Sequence, residues 1–524
     1  MPSNPSKISR KVKSSKGAFQ WSCREWLGVL YRYTVGALLS QLALGWFVIL
    51  ASIGMARWER DVVRVIPANP GYVRLRDGVG AEQGRRIKVN EWVGENVGSL
   101  RENFMPAAWL PNGHLQTFFT IAGNFANIDK VHYIRTYLRL PDGGTIGLDT
   151  TPEEHANLPK DAPTVVVCHG LTGGSHESYV RNALHWVTKP RSQGGLGGRG
   201  VVMNSRGCAG VPLTSCQLYS AGTTMDLALS LHYLRLKHPN SVFIGLGFSL
   251  GASIVSRYLG EYGEKSILSG AVVLGCPWDL PAMSYKLEND WFIARVYSSA
   301  LAKNVLRLFF RAYDQTPSLF DQSPRIAPYL SELKKQRKNM GRRSRLKNAD
   351  DFLISKIGGP EGIGAWPFLG AKEYYDWASP RNVISGVKVP LLAINAFDDP
   401  VVDCTALPLD ELKSSSHVVA AITGSGGHLG WFDGPFPLFS SSEESHRRWV
   451  LKPISEFISA GARDWASPKD EEKLEVVETD GWQWVKKPIY SIPGLERVGW
   501  KVLKEGEVIV GEDDEGEIEL IQGL

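Results

Sequence analysis

The sequence predicts an α/β fold, a mostly parallel sheet with helices on both faces. Three observations lead there. Eight short, β-branched segments fall at 132–139, 145–149, 164–168, 200–204, 242–246, 270–275, 390–395 and 417–423, mostly bounded by Gly, Pro or Asp. From 164 on, helical patterns such as 223–237 and 252–261 separate them. The strands are near-continuously apolar rather than alternating, which suits a sheet buried on both sides. Pro141-Asp142-Gly143-Gly144 joins the first two as a hairpin turn.

Composition excludes several classes. The 524 residues are 43% hydrophobic and 22% charged, an ordinary globular balance that rules out wholesale disorder, collagen and a polytopic membrane protein. Lys+Arg 59 against Asp+Glu 54 leaves +5, too small a surplus to imply nucleic acid. Six cysteines without a CxxC pair make neither a disulfide framework nor a cysteine-rich zinc site. Cys168 and Cys276 lie in apolar runs and read as buried packing residues.

The elements divide the chain in order. Residues 1–34 are basic, with Lys7, Arg10, Lys11, Lys13, Lys16, Arg24 and Arg32 against Glu25. Residues 35–56 are 22 residues without a charge, about 33 Å as a helix and enough to span a membrane, with a buried core helix, a cleaved signal or an organelle-targeting peptide as the alternatives. The positive flank orients that segment with the N-terminus cytosolic. Residues 100–280 and 381–460 carry the strand–helix alternation. Residues 281–380 separate two strands by far more than a normal connection and read as an inserted helical cap. Trp291, Phe292, Val296, Tyr297, Leu301, Leu306, Phe309 and Phe310 give the cap an apolar face at helical spacing, part of which is expected to line an acyl tunnel, with packing on the core as the alternative. The basic run 334–347 reads as a solvated surface loop, with acidic lipid headgroups as the alternative contact. The extension 465–524 contains Trp482, Trp484 and Trp500, then eight acids between Glu505 and Glu519. Alternation in KVLKEGEVIV and EIELIQ predicts a small appended hairpin.

The chemistry concentrates in one constellation. Gly247-Phe248-Ser249-Leu250-Gly251 follows a strand and precedes a helix, the context of a nucleophile elbow. A serine hydroxyl needs a base, and the base an orienting acid. Asp398-Asp399-Pro400 lies just past the strand 390–395, and Gly426-Gly427-His428 just past the strand 417–423. Both loops sit at the carboxyl ends of strands, where such sheets bind ligands. Ser249 is therefore the expected nucleophile and His428 the base. Of the two candidate acids, an acid followed by Pro-x-x favours Asp399, leaving Asp398 to brace the turn. The backbone N–H groups of Leu171 and Leu250 are the expected oxyanion donors. His169 reads as structural. No cofactor or metal is expected.

These residues resemble the type 4 α/β-hydrolase family of membrane esterases and lipases, which includes fungal medium-chain fatty acid ethyl ester synthase/esterases and animal monoacylglycerol lipases. The resemblance covers roughly 100–460. It rests on the elbow, on Trp109-Leu110-Pro111-Asn112-Gly113-His114-Leu115-Gln116-Thr117, on Asn204-Ser205-Arg206-Gly207-Cys208, on Asp398-Asp399-Pro400 and on Gly426-Gly427-His428-Leu429-Gly430. It implies the α/β-hydrolase fold, with the triad on Ser249, Asp399 and His428. The expected activity is hydrolysis of fatty acyl esters, medium-chain esters or monoacylglycerol, by a protein anchored in a membrane, the endoplasmic reticulum by expectation, with membrane lipid as its other contact. Two alternatives stand beside it. One is acyl transfer to an alcohol, with His428 and Asp433 in an H-x4-D pattern that reads more simply as loop packing of Asp433. The other is a hydrolase-like receptor that binds a lipid without turning it over.

Overall fold

The computed structural model describes residues 62–76, 86–340, 344–364, 366–437, 441–465, 474–504 and 507. The basic segment 1–34, the apolar run 35–56 and most of the acidic terminus lie outside them. Among the described residues no helix is long and apolar enough to cross a membrane.

The strands of the main sheet are, in chain order, β1 (Val63–Val65), β2 (Ile134–Arg139), β3 (Thr145–Thr151), β4 (Thr164–Cys168), β5 (Arg199–Asn204), β6 (Phe243–Phe248), β7 (Leu268–Leu274), β8 (Leu391–Ala396), β9 (Val418–Thr423), β10 (Val476–Thr479), β11 (Trp482–Val485) and β12 (Gly499–Val502). Their spatial order is β1-β9-β8-β7-β6-β4-β5-β3-β2-β12-β11-β10. From β5 to β9 every pairing is parallel. The flanks are antiparallel: β3 on β5, β2 on β3, and β1 on β9. All eight expected strands are present, each within a few residues of its expected bounds. The hairpin turn closes with Leu140 N–H donating to the Gly144 carbonyl at 2.8 Å.

Among the described residues the helices of eight or more residues are α1 (Val89–Asn96), α2 (Gly113–Ala122), α3 (Ser178–Thr188), α4 (Met225–Lys237), α5 (Leu250–Tyr262), α6 (Leu280–Asn289), α7 (Ser299–Gln315), α8 (Leu330–Lys338), α9 (Ala371–Ala378) and α10 (Leu451–Asp464). Side chains alternate across the strands and feed two cores. Val166 and Cys168 of β4 pack with α4 and α5. Val165 and Val167 pack on the opposite face with α1, α3 and α10. Each buried aliphatic side chain contributes about 1.5–3 kcal/mol, so continuous apolar strands are stable only in this doubly covered position.

Residues 280–378 form the cap, whose apolar interior continues into Leu213, Leu218, Tyr219 and Val401 below it. The expected acyl-lining stripe is not continuous. Leu306, Phe309 and Phe310 fill the cap interior, whereas Trp291 is 69% exposed and Phe292 and Val296 also face outward. The cause is a π-turn at Ala294–Ser298, which interrupts the helical register between Trp291–Ile293 and α7. The basic run is not a plain loop either. Its first part belongs to α8, where Arg337 pairs with Asp314 and Lys334 lies 4.7 Å over the Tyr313 ring.

The C-terminal extension also departs from expectation. Its hairpin is β10–β11, and β12 then pairs antiparallel with β2, joining the extension to the main sheet. Trp500 is fully buried and meets Tyr233 edge-on at 5.7 Å. The Tyr490 hydroxyl bonds that of Tyr258 on α5 at 2.8 Å. This apolar anchoring draws the strands onto the sheet edge; the segment EIELIQ lies outside the described residues.

Candidate active site

Ser249 occupies the turn between β6 and α5, at φ +52°, ψ −117°. That conformation costs a side-chain-bearing residue about 1–3 kcal/mol and survives only where the surroundings enforce it. They do so by close packing: a Cβ on Gly251 would lie 2.1 Å from the Cys168 carbonyl oxygen at the end of β4. The Ser249 N–H donates to the Leu274 carbonyl at 2.9 Å, which fixes the turn to β7.

His428 follows β9 and Asp399 follows β8. Ser249 Oγ lies 2.8 Å from His428 Nε2, and His428 Nδ1 lies 2.8 Å from Asp399 Oδ2. His428 and Asp399 are both buried. Asp399 Oδ1 accepts the N–H groups of Val401 at 2.7 Å and Val402 at 2.9 Å, so its carboxylate has one orientation. Asp398 points elsewhere. Its Oδ1 accepts the Gly427 N–H at 2.9 Å, bracing the loop that carries His428. Burial pushes its carboxyl up to about 7. Asp433 turns away to Arg447, with 2.9 Å between Oδ1 and Nε.

The segment Trp109–Thr117 holds this arrangement from the far side. Asn112 caps α2 by accepting the Leu115 N–H at 3.0 Å. Gly113 presses so closely on the acid loop that a Cβ there would meet the Asp398 carbonyl oxygen at 1.9 Å. Gln116 spans the His loop by donating to the carbonyls of Leu110 and Phe432 and accepting the Phe432 N–H. Thr117 Oγ1 accepts the His428 N–H at 2.7 Å. The role of Thr117 escapes inspection of the sequence because its partner is 311 residues away.

Leu171 and Leu250 both line the pocket with Ser249 and His428. Leu250 is the first residue of α5, so its N–H has no acceptor within the helix. The loop carrying Leu171 is held by the Thr172 N–H donating to the Tyr219 hydroxyl at 2.8 Å. His169 is structural: Nδ1 meets the Gly170 carbonyl at 2.7 Å and Nε2 accepts the Ser205 N–H at 3.2 Å. Burial holds its imidazole down at about 4, hence neutral. Arg206, wholly buried, bridges Asp142 and Asp226 and ties the hairpin turn to α4. Its role also needed the fold, since Asp142 read only as a turn residue.

The cap roofs the site. Lys286 of α6 donates from Nζ to the Asp399 carbonyl at 2.6 Å and to the Val402 carbonyl at 3.3 Å. Beneath it lies a mostly apolar pocket, lined by Ser249 and His428 on one side and by Leu280, Met283, Leu301 and Ile354 of the cap on the other. Of the cap residues expected to line it, Leu301 does. Among the described residues no group of three or more His, Cys, Asp or Glu is placed to hold a metal ion.

A strained serine turn on a parallel sheet, beside buried histidine and aspartate under a helical cap, defines a hydrolase of the carboxylesterase/lipase class. The family profile described as "alpha/beta hydrolase fold" matches residues 163–435, and the chain belongs to that family. It is 31% identical to "Monoacylglycerol lipase" of Saccharomyces cerevisiae over 75% of this chain and 88% of the relative. It is 27% identical to "Medium-chain fatty acid ethyl ester synthase/esterase 2" of the same yeast, over 74% of this chain and 92% of the relative. It is also 27% identical to "Phospholipase ABHD3" of Homo sapiens, over 64% of this chain and 76% of the relative.

Proposed function

We propose that the chain is a serine hydrolase of fatty acyl esters, working through Ser249, His428 and Asp399. The observation that carries this reading is the unbroken hydrogen-bond chain from Ser249 Oγ through His428 to Asp399, opening on an apolar pocket. His428 Nε2 takes the Ser249 proton as Oγ attacks the acyl carbonyl. The tetrahedral oxyanion is met by the N–H groups of Leu171 and Leu250. His428 then protonates the leaving alcohol, and an acyl-enzyme remains. Water, deprotonated by the same imidazole, releases the acid. An alcohol in place of water would instead make an ester, a course that the relative named as an ethyl ester synthase/esterase favours. The substrates named for two relatives, a monoacylglycerol and medium-chain ethyl esters, suit the mostly apolar pocket.

The reading includes an anchor. The 22 uncharged residues 35–56 would cross a membrane once, with the basic flank cytosolic, and the endoplasmic reticulum is the proposed location.

The deciding experiment uses a fluorophosphonate probe and a medium-chain ester on purified protein. Wild-type protein is expected to be labelled and to turn over the ester, and Ser249→Ala to lose both. Undiminished turnover by folded Ser249→Ala would overturn the mechanism.

A further inference from the structure

The pocket contains one carboxyl that the acyl chemistry does not use. Asp350 opens a π-turn, Asp350–Ile354, and lines the same pocket as Ser249 and His428. It is 6% exposed, in a wall otherwise built largely from Leu280, Met283, Leu301 and Ile354. Its Oδ2 accepts the Tyr375 hydroxyl at 2.6 Å. Its Oδ1 has no hydrogen-bond partner among the described residues. A carboxyl in such a place is costly unless its oxygens are satisfied. Packing does not call for it, since a leucine or methionine would fill the wall without that cost.

We propose that Asp350 is a substrate-binding residue that hydrogen-bonds a hydroxyl on the ester, so that the pocket selects hydroxyl-bearing fatty acyl esters over plain alkyl esters of equal length. The hydroxyl has two chemical sources: a polyol leaving group such as glycerol, or a hydroxylated acyl chain. A hydroxyl rather than an ammonium group suits the surroundings. Burial raises the Asp350 carboxyl to about 7 against the Tyr375 hydrogen bond, with Asp351 and Glu288 adding to the rise, so near neutrality a substantial share of it is the acid, which both donates and accepts. The Tyr375 hydroxyl fixes its orientation as a neighbouring donor. This inference rests on the ester-hydrolase reading and names the substrate class of that site.

The test compares specificity constants within two matched pairs: monodecanoylglycerol against ethyl decanoate, and methyl ω-hydroxydecanoate against methyl decanoate. Ratios within a pair do not depend on the fraction of active enzyme. Wild-type protein is expected to favour the hydroxyl-bearing member of one pair about tenfold, the ratio that one buried hydrogen bond of about 1.4 kcal/mol produces. Preference in the first pair assigns the glycerol source, and preference in the second the hydroxyacyl source. Asp350→Leu is expected to bring that ratio to about one, while Asp350→Asn, which can still donate and accept, keeps most of it. Should the leucine variant not fold, Asp350→Ser, too short to reach, takes its place. Turnover with flat ratios in wild type, or ratios unchanged in the leucine or serine variant, overturns the inference and leaves the hydrolase reading intact. A wild-type protein that turns over none of the four esters overturns both.

Discussion

Replacing Asp399 with asparagine tests the site at its deepest point. The substitution changes no volume, so its effect follows from donors and acceptors alone. Two backbone N–H groups, of Val401 and Val402, point at Oδ1 at 2.7 and 2.9 Å. In Asp399→Asn the amide oxygen must take that position, because an NH2 there would face two donors. The NH2 is then forced to the Oδ2 position, 2.8 Å from His428 Nδ1. Nδ1 must become the acceptor, which moves the ring proton to Nε2. The proton then faces Ser249 Oγ, and the imidazole cannot act as base. A wrong tautomer of this kind lowers turnover about 10⁴-fold in serine triads, equivalent to about 5 kcal/mol of transition-state stabilisation. Asp398→Asn is the control. Its Oδ1 already accepts the Gly427 N–H, and burial raises its carboxyl to about 7, so an uncharged amide is a close replacement. The assay is kcat/KM on a medium-chain ester, with circular dichroism and thermal melting matched between variants. A loss in Asp398→Asn equal to or larger than that in Asp399→Asn would refute the assignment of the acid.

Two further outcomes are expected. Thr117→Val removes the acceptor of the buried His428 N–H and should lower unfolding free energy by about 1–3 kcal/mol, with a drop in kcat from the loosened histidine; denaturant melts and kinetics check both, and an unchanged midpoint would contradict the bracing role. The full-length chain should remain in the membrane pellet after carbonate washing, whereas a chain beginning near residue 60 should lose that anchor, so full-length protein released by carbonate would remove the spanning segment from the reading.

What could be read from residues alone followed the range of the interactions involved. The strands are visible because their apolar, β-branched runs are local signals, and the elbow because its glycines lie within two residues of Ser249. Asp399 and His428 stand out because each sits just past an apolar strand, and the fold brings them into one hydrogen-bonded chain with Ser249. The bracing was hidden because Thr117, Gln116 and Lys286 act on partners more than a hundred residues away. The cap stripe misled because helical spacing assumes an unbroken register, and the π-turn at Ala294–Ser298 breaks it. Asp350 and Tyr375 carry no local signal: their meeting across 25 positions depends on how the cap folds on itself.

The way the sheet is closed bears on how the chain reaches this state. At one margin β1 pairs Val63–Val65 with Ala420–Ile422, and two strands in from the other β12 pairs Lys501–Val502 with Leu138–Arg139. Both pairings thus join sequence positions more than three hundred residues apart, and such contacts are slow to find because a large loop must be closed before any contact is gained. During synthesis the six parallel strands can assemble once β9 has emerged, but β2 must wait for the last strands to appear. Until then the backbone N–H and C=O groups on its outer edge, the side away from β3, stand open to any passing strand, the kind of surface on which nascent chains aggregate. The extension beyond residue 465 therefore covers β2 late in synthesis and moves the open edge of the sheet out to β10. A chain cut short ahead of it would keep every residue of the Ser249 site and still leave the ribosome with one side of its sheet unfinished.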